Sequence, residues 1–89
     1  MPQVSANPDE MRRFAKALDE IAESVQQKRM NTSRSFENLH HTWRDAKYVQ
    51  FEKTFSSAVQ DLDGFLKSAQ KYSEFLRRKA AALDRYMKR

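Results

Sequence analysis

The stretch Leu39-His40-His41-Thr42-Trp43-Arg44-Asp45 decides the fold. It lies near the middle of an 89-residue chain and holds the one tryptophan. Apolar residues recur at helical spacing on both sides of it, and the connection between them is short and polar. Two long amphipathic segments joined in this way read as a helical hairpin with a bulky aromatic anchor at its tip.

Upstream, the first helix has a clear start. Asn7 is a good N-cap, Pro8 suits the first helical position, and Asp9 and Glu10 favour the positive end of the helix dipole. Glu10 stands three residues after Asn7, the spacing of a capping-box variant. Apolar residues follow in steps of three and four: Met11, Phe14, Leu18, Ile21 and Val25. The pattern weakens across Lys28, Arg29 and Thr32, then resumes in the same register at Phe36 and Leu39. One helix over about residues 8–40 is expected, with a loosely packed middle; a short break near residues 30–33 is the alternative.

Downstream, the stripe is more regular. It runs through Tyr48, Phe51, Phe55, Ala58, Leu62, Phe65, Ala69, Tyr72 and Leu76, then Lys79, Leu83 and Tyr86. Val59, Leu66, Phe75, Ala80 and Met87 widen it, as suits a helix with two neighbours. The connection is expected at about residues 40–44 and the second helix at about 44–87. Thr42 with Asp45 forms one candidate start signal, and Asp45 alone as N-cap is the other. The single glycine, Gly64, sits within an unbroken register, so the helix is expected to continue through it at a cost of about 1 kcal/mol. Close approach of a neighbouring helix would be a reason for it. The second helix is the longer and should overhang the first from Arg77 onward, leaving that end to meet another chain.

Composition limits what such a hairpin does. Hydrophobic content of 39% with 33% charged residues fits a helical bundle and not a disordered chain. There is no cysteine, hence no disulfide framework or thiolate metal site. No apolar run approaches the roughly 20 residues that span a bilayer, and no signal-peptide pattern opens the sequence. The net charge of +5 is local: residues 1–42 and 43–76 balance, and the excess lies in Arg77, Arg78, Lys79, Arg85, Lys88 and Arg89 against Asp84. These cations complement the C-terminal end of the helix dipole. They also allow an alternative function, a basic module that binds nucleic acid or an anionic membrane surface through residues 77–89. Steep salt dependence would identify phosphate binding.

Catalysis finds little support. His40 and His41 are adjacent, and neighbouring residues point in different directions, so a shared metal would need ligands from elsewhere. A chain with one glycine has no phosphate-cradling loop. The carboxylates alternate with Lys and Arg as on any solvated helix. The aromatics of the second helix could stack bases, but their spacing is that of a packed stripe. No enzyme activity, metal or cofactor is expected.

Nearly the whole chain resembles the WXG family, the roughly hundred-residue Trp-x-Gly proteins of type VII (early secreted antigen) secretion systems. The resemblance rests on the length, the layout around Trp43, the segment Asn7 to Ala15, the run Phe36 to Trp43, and Phe51, Phe55, Leu62, Phe65 and Tyr72. Asp45 stands where the name-giving glycine falls. The Tyr-x-x-x-Asp/Glu export signal of that family is not matched beyond the second helix: Tyr72 is followed by Leu76, only three residues follow Tyr86, and Tyr48 with Glu52 lies at the wrong end. The resemblance implies a secreted effector, adaptor or export chaperone. It would leave the cell without a signal peptide, or stay cytoplasmic before export. Trp43, Arg44 and Asp45 would serve as a recognition tip, with a secretion ATPase as a further partner.

The residues themselves imply assembly. A hairpin of 89 residues cannot bury two apolar stripes on itself. A single all-α domain, 1–89, is therefore expected to pair with itself or with a paralogous hairpin, forming an antiparallel four-helix bundle. Its seam would hold Phe14, Leu18, Ile21, Val25, Phe36 and Leu39 from the first helix. Tyr48, Phe51, Phe55, Leu62, Phe65, Tyr72 and Leu76 would come from the second. Nucleic acid and membrane are not expected partners on this reading.

Overall fold

The computed structural model describes residues 6–87 and consists of two helices, α1 at Pro8–Leu39 and α2 at Ala46–Met87. They form an antiparallel hairpin, with no strand among the described residues. The all-helical hairpin read from the sequence is the fold found. Its extents of 67 × 23 × 13 Å are those of a slab one helix thick.

The helix ends follow from local chemistry. The Asn7 side chain accepts hydrogen bonds from the Asp9 and Glu10 amides at 2.9 and 3.3 Å, and Pro8 is buried against the hairpin. The Glu10 carboxylate turns to Arg13 at 4.0 Å. α1 ends where the His40 to Trp43 amides bond back to the carbonyls of its last turn, with Trp43 N donating to Leu39 O at 3.0 Å. α2 begins two residues later than the sequence suggests. Asp45 is its N-cap: its carboxylate accepts from Tyr48 N at 3.1 Å and its carbonyl from Val49 N. The Thr42 hydroxyl instead bonds back to Leu39 O at 3.4 Å.

α1 runs unbroken through residues 30–33, and α2 runs unbroken through Gly64. A Cβ built on Gly64 would have nothing within 4 Å, so no neighbouring helix explains this glycine. The overhang expected from Arg77 onward is also absent. Ala80 is fully buried, and Asp84 meets Arg12 of α1 at 2.7 Å. At 1.5 Å per residue α2 is about 15 Å longer than α1. Part of that extra length lies at the tip, where Tyr48 of the first turn stacks on His40.

The inner seam of the hairpin is graded by side-chain size. Away from the tip the buried residues are small, Ala15, Ala69, Ser73 and Ala80, the Ser73 hydroxyl donates to Ala15 O across the hairpin at 3.5 Å, and small residues let helix axes approach closely. Towards the tip the inward residues are larger, Val25, Phe36, Tyr48, Phe55 and Val59, and Phe36 of α1 stacks on Tyr48 and Phe55 of α2. Three bridges fix the register: Arg12 to Asp84, Arg77 to Asp19 at 2.7 Å, and a two-pronged pair from Arg29 to Asp63 at 2.9 and 3.0 Å. Fork-to-fork geometry sets position as well as supplying energy.

Candidate functional site

Two surfaces stand out, the tip and one broad face. The tip is a cluster of six rings. Phe36 stacks on Phe55 with centroids 4.5 Å apart and on Tyr48 at 5.2 Å. His40 stacks on Tyr48 at 4.5 Å. Trp43 meets Tyr48 edge-on at 5.4 Å and lies against Phe51 at 6.2 Å. Tyr48 is thus the hub, and it alone of the six is buried. Burial first, and then the nearby Glu52 and Glu37, push its hydroxyl above the usual tyrosine range. Arg44 donates from Nε to His40 O at 3.1 Å, closing the connection on itself. Trp43 is half-buried, held by α2 rings on one side and open on the other.

Sequence reasoning placed His40 in a polar turn and missed its part in this stack. A signal was present, because His40 lies four residues after Phe36 and so continues its row. The Arg–carboxylate bridges were also missed. Arg29 fell in the stretch taken as loosely packed, yet it spans the hairpin there.

The apolar stripe divides into two. Leu18, Val25, Phe36, Tyr48, Phe55, Ala69 and Leu76 turn partly or wholly into the hairpin. Phe14, Ile21, Leu39, Phe51, Leu62, Phe65 and Tyr72 remain exposed, from 37% at Leu62 to 60% at Tyr72. These exposed residues come from both helices and share one face. A groove there is lined by Phe14, Leu18, Phe65, Ser68, Ala69, Tyr72, Phe75 and Leu76. A second, nearer the tip, is lined by Val25, Lys28, Arg29, Thr32, Phe55, Val59 and Leu62. The opposite face is polar, with Glu23, Gln26, Lys67 and Gln70 along one groove.

The basic end is not a uniform patch. Arg77 bonds the buried Ser73 hydroxyl at 2.6 Å as well as Asp19. The Ser73 hydroxyl first, and then Arg77, hold the Asp19 carboxyl below its ordinary range. Arg78, Lys79 and Arg85 are exposed, while Lys88 and Arg89 lie outside the described residues. Among the described residues no helix is long and apolar enough to cross a membrane. No cluster of three or more metal-ligating side chains occurs among them either.

The family model described as proteins of 100 residues with WXG matches residues 3–86, and the chain belongs to that family, a group of small secretion-associated helical proteins. No curated protein and no solved structure matches the chain significantly.

Proposed function

We propose that this protein is a small hairpin of a type VII-like secretion system that acts by pairing with a second hairpin and presenting Trp43 for recognition. Its role is that of a secreted effector, adaptor or export chaperone, and its partner is a copy of this chain or a paralogue. The observation that carries the reading is the uncovered apolar face. The chain exposes 7475 Å², against about 5,400 Å² for a compact protein of this mass. The excess, roughly 2,000 Å² on one chain, is above the roughly 800 Å² per partner of a standard interface and within the range of large permanent ones. Two hairpins laid face to face would make an antiparallel four-helix bundle and bury both stripes. Trp43 would then sit at an end of the bundle, rigidly held and half open, as suits a residue read by a secretion ATPase.

Export from the native host tests this. The Trp43→Ala chain should still fold and pair but should fail to leave the cell. Normal export of Trp43→Ala would remove the tip from the mechanism.

A further inference from the structure

A cavity of about 320 Å³ opens on the polar side of the hairpin, next to the ring cluster. Ser33 and Glu37 of α1 and Tyr48, Glu52 and Ser56 of α2 line it. Phe55 and Val59 border both this cavity and the apolar groove beside Leu62, so the two lie on opposite sides of one seam. Covering the apolar face would leave the cavity open. A lone unpaired carboxylate on a solvated helix is ordinary. Here two carboxylates, from different helices, line one cavity that no lysine or arginine lines. Arg29, four residues before Ser33, is held by both oxygens of Asp63. Tyr48 adds an unsatisfied group. It is only 4% exposed, yet its hydroxyl makes no hydrogen bond among the described residues. No polar side-chain atom among them is sealed from solvent without a partner, so this hydroxyl reaches the surface where Tyr48 lines the cavity. Burial raises that hydroxyl, and the charges of Glu52 and then Glu37 raise it further.

We propose that this cavity binds a guanidinium group. A guanidinium carries N–H donors in a flat fork and no acceptor. The cavity offers the complement: two carboxylates, two serine hydroxyls and one phenol, all able to accept. Bonds to the carboxylates would be charge-assisted, and those are the strong ones. The wall between them is apolar. Phe36 lies between Tyr48 and Phe55, and Tyr48 between Phe36 and His40, so their faces are used within the stack and their edges meet the cavity. An apolar wall suits a guanidinium, which is more weakly hydrated than an ammonium. The volume is at the small end for a ligand pocket and admits such a group with its stem. A metal ion is the poorer fit, since no cluster of three metal-ligating side chains occurs among the described residues. The same group would arrive either on a free small molecule or as an arginine side chain of a polypeptide.

Titration of the isotope-labelled chain, followed by NMR, tests the site. Agmatine is the free guanidinium, N-acetylarginine amide presents the group on a peptide backbone, and putrescine is the ammonium comparator. With the guanidinium probes, the amides of Ser33, Glu37, Tyr48, Glu52 and Ser56 should shift together and saturate, at a Kd of about 1 mM or below. Glu37→Gln/Glu52→Gln keeps size and removes charge at two exposed positions that form no ion pair among the described residues. Its helical circular dichroism should be unchanged while binding weakens at least about tenfold. Tyr48→Phe keeps the ring stack and should weaken binding about three- to tenfold, the worth of one hydrogen bond. Tighter binding of agmatine assigns the cavity to a free small molecule, and tighter binding of N-acetylarginine amide to an arginine of a polypeptide; each supports the site. Absence of a saturating shift with both probes would overturn it. So would shifts that persist unchanged in the folded Gln variant, or putrescine binding as tightly as agmatine.

Discussion

Trp43 and Asp45 show what one position settles in so small a protein. At the third place of its motif the family carries glycine, and this chain has Asp45. The backbone there does not need glycine, since no described non-glycine residue has a positive φ. An aspartate adds what glycine lacks, a carboxylate on the Tyr48 amide that starts α2 beneath the ring cluster. Trp43 is then held by Tyr48 of that turn and Phe51 of the next. A fully buried tryptophan would cost about 3–5 kcal/mol on truncation. Trp43 is half-buried, so Trp43→Ala should cost about 1–2 kcal/mol, seen as a lowered urea midpoint with an unchanged slope. Native emission should lie between that of buried and free indole. A loss as large as that of a core residue would show that the ring is a plug with no open side. The tip was legible in the sequence because one tryptophan in a polar connection has few readings. The stack on His40 was harder to see, since a histidine next to a second histidine looks like a turn.

Helix type and continuity were legible because long runs at a 3-4 spacing leave few alternatives. The pairing of the helices was less so, because it depends on bridges between residues 34 to 72 positions apart. Gly64 shows the difference. The register correctly carried the helix through it, but the neighbour expected to need its bareness is absent. Gly64→Ala should therefore stabilise the protein by about 0.5–1 kcal/mol, measured by thermal or urea unfolding. Destabilisation would mean that an unseen neighbour packs there. The Asp19 bridge gives the helices a pH dependence. Its folded carboxyl titrates below the usual 3.8, so the unfolded chain takes up the proton first as acid is added. The bridge's contribution is present above about pH 4 and is lost as pH falls through the lowered value. Asp19→Asn should lower stability at neutral pH and flatten the acid limb of the stability–pH curve. An acid limb identical to wild type would place the acid sensitivity elsewhere.

A hairpin 13 Å thick has no second layer, so each apolar residue belongs either to the seam between its own helices or to the open face. From spacing alone Phe55 and Leu62 look equivalent, seven residues apart on one stripe. The structure separates them. Phe55 stacks on Phe36 across the hairpin, while Leu62 is 37% exposed on the open face. The cause is the angular width of the stripe: residues seven apart, two turns on, drift by about 20° round a straight helix, and a wide stripe meets two partners instead of one. The same substitution at the two sites should therefore fail differently. Phe55→Asp places a charge among stacked rings and should abolish the helical circular dichroism at any protein concentration. Leu62→Asp leaves the ring cluster and all three inter-helix bridges in place, so the dilute chain should keep its helical signal. What Leu62→Asp should lose is association, because the unpaired carboxylate lies where a second hairpin would settle. The melting temperature of a chain that pairs with itself should rise with concentration, and Leu62→Asp should remove that rise. A dilute Leu62→Asp chain that is unfolded would mean that the hairpin has no stability apart from its partner. An unchanged concentration dependence would mean that the partner binds elsewhere.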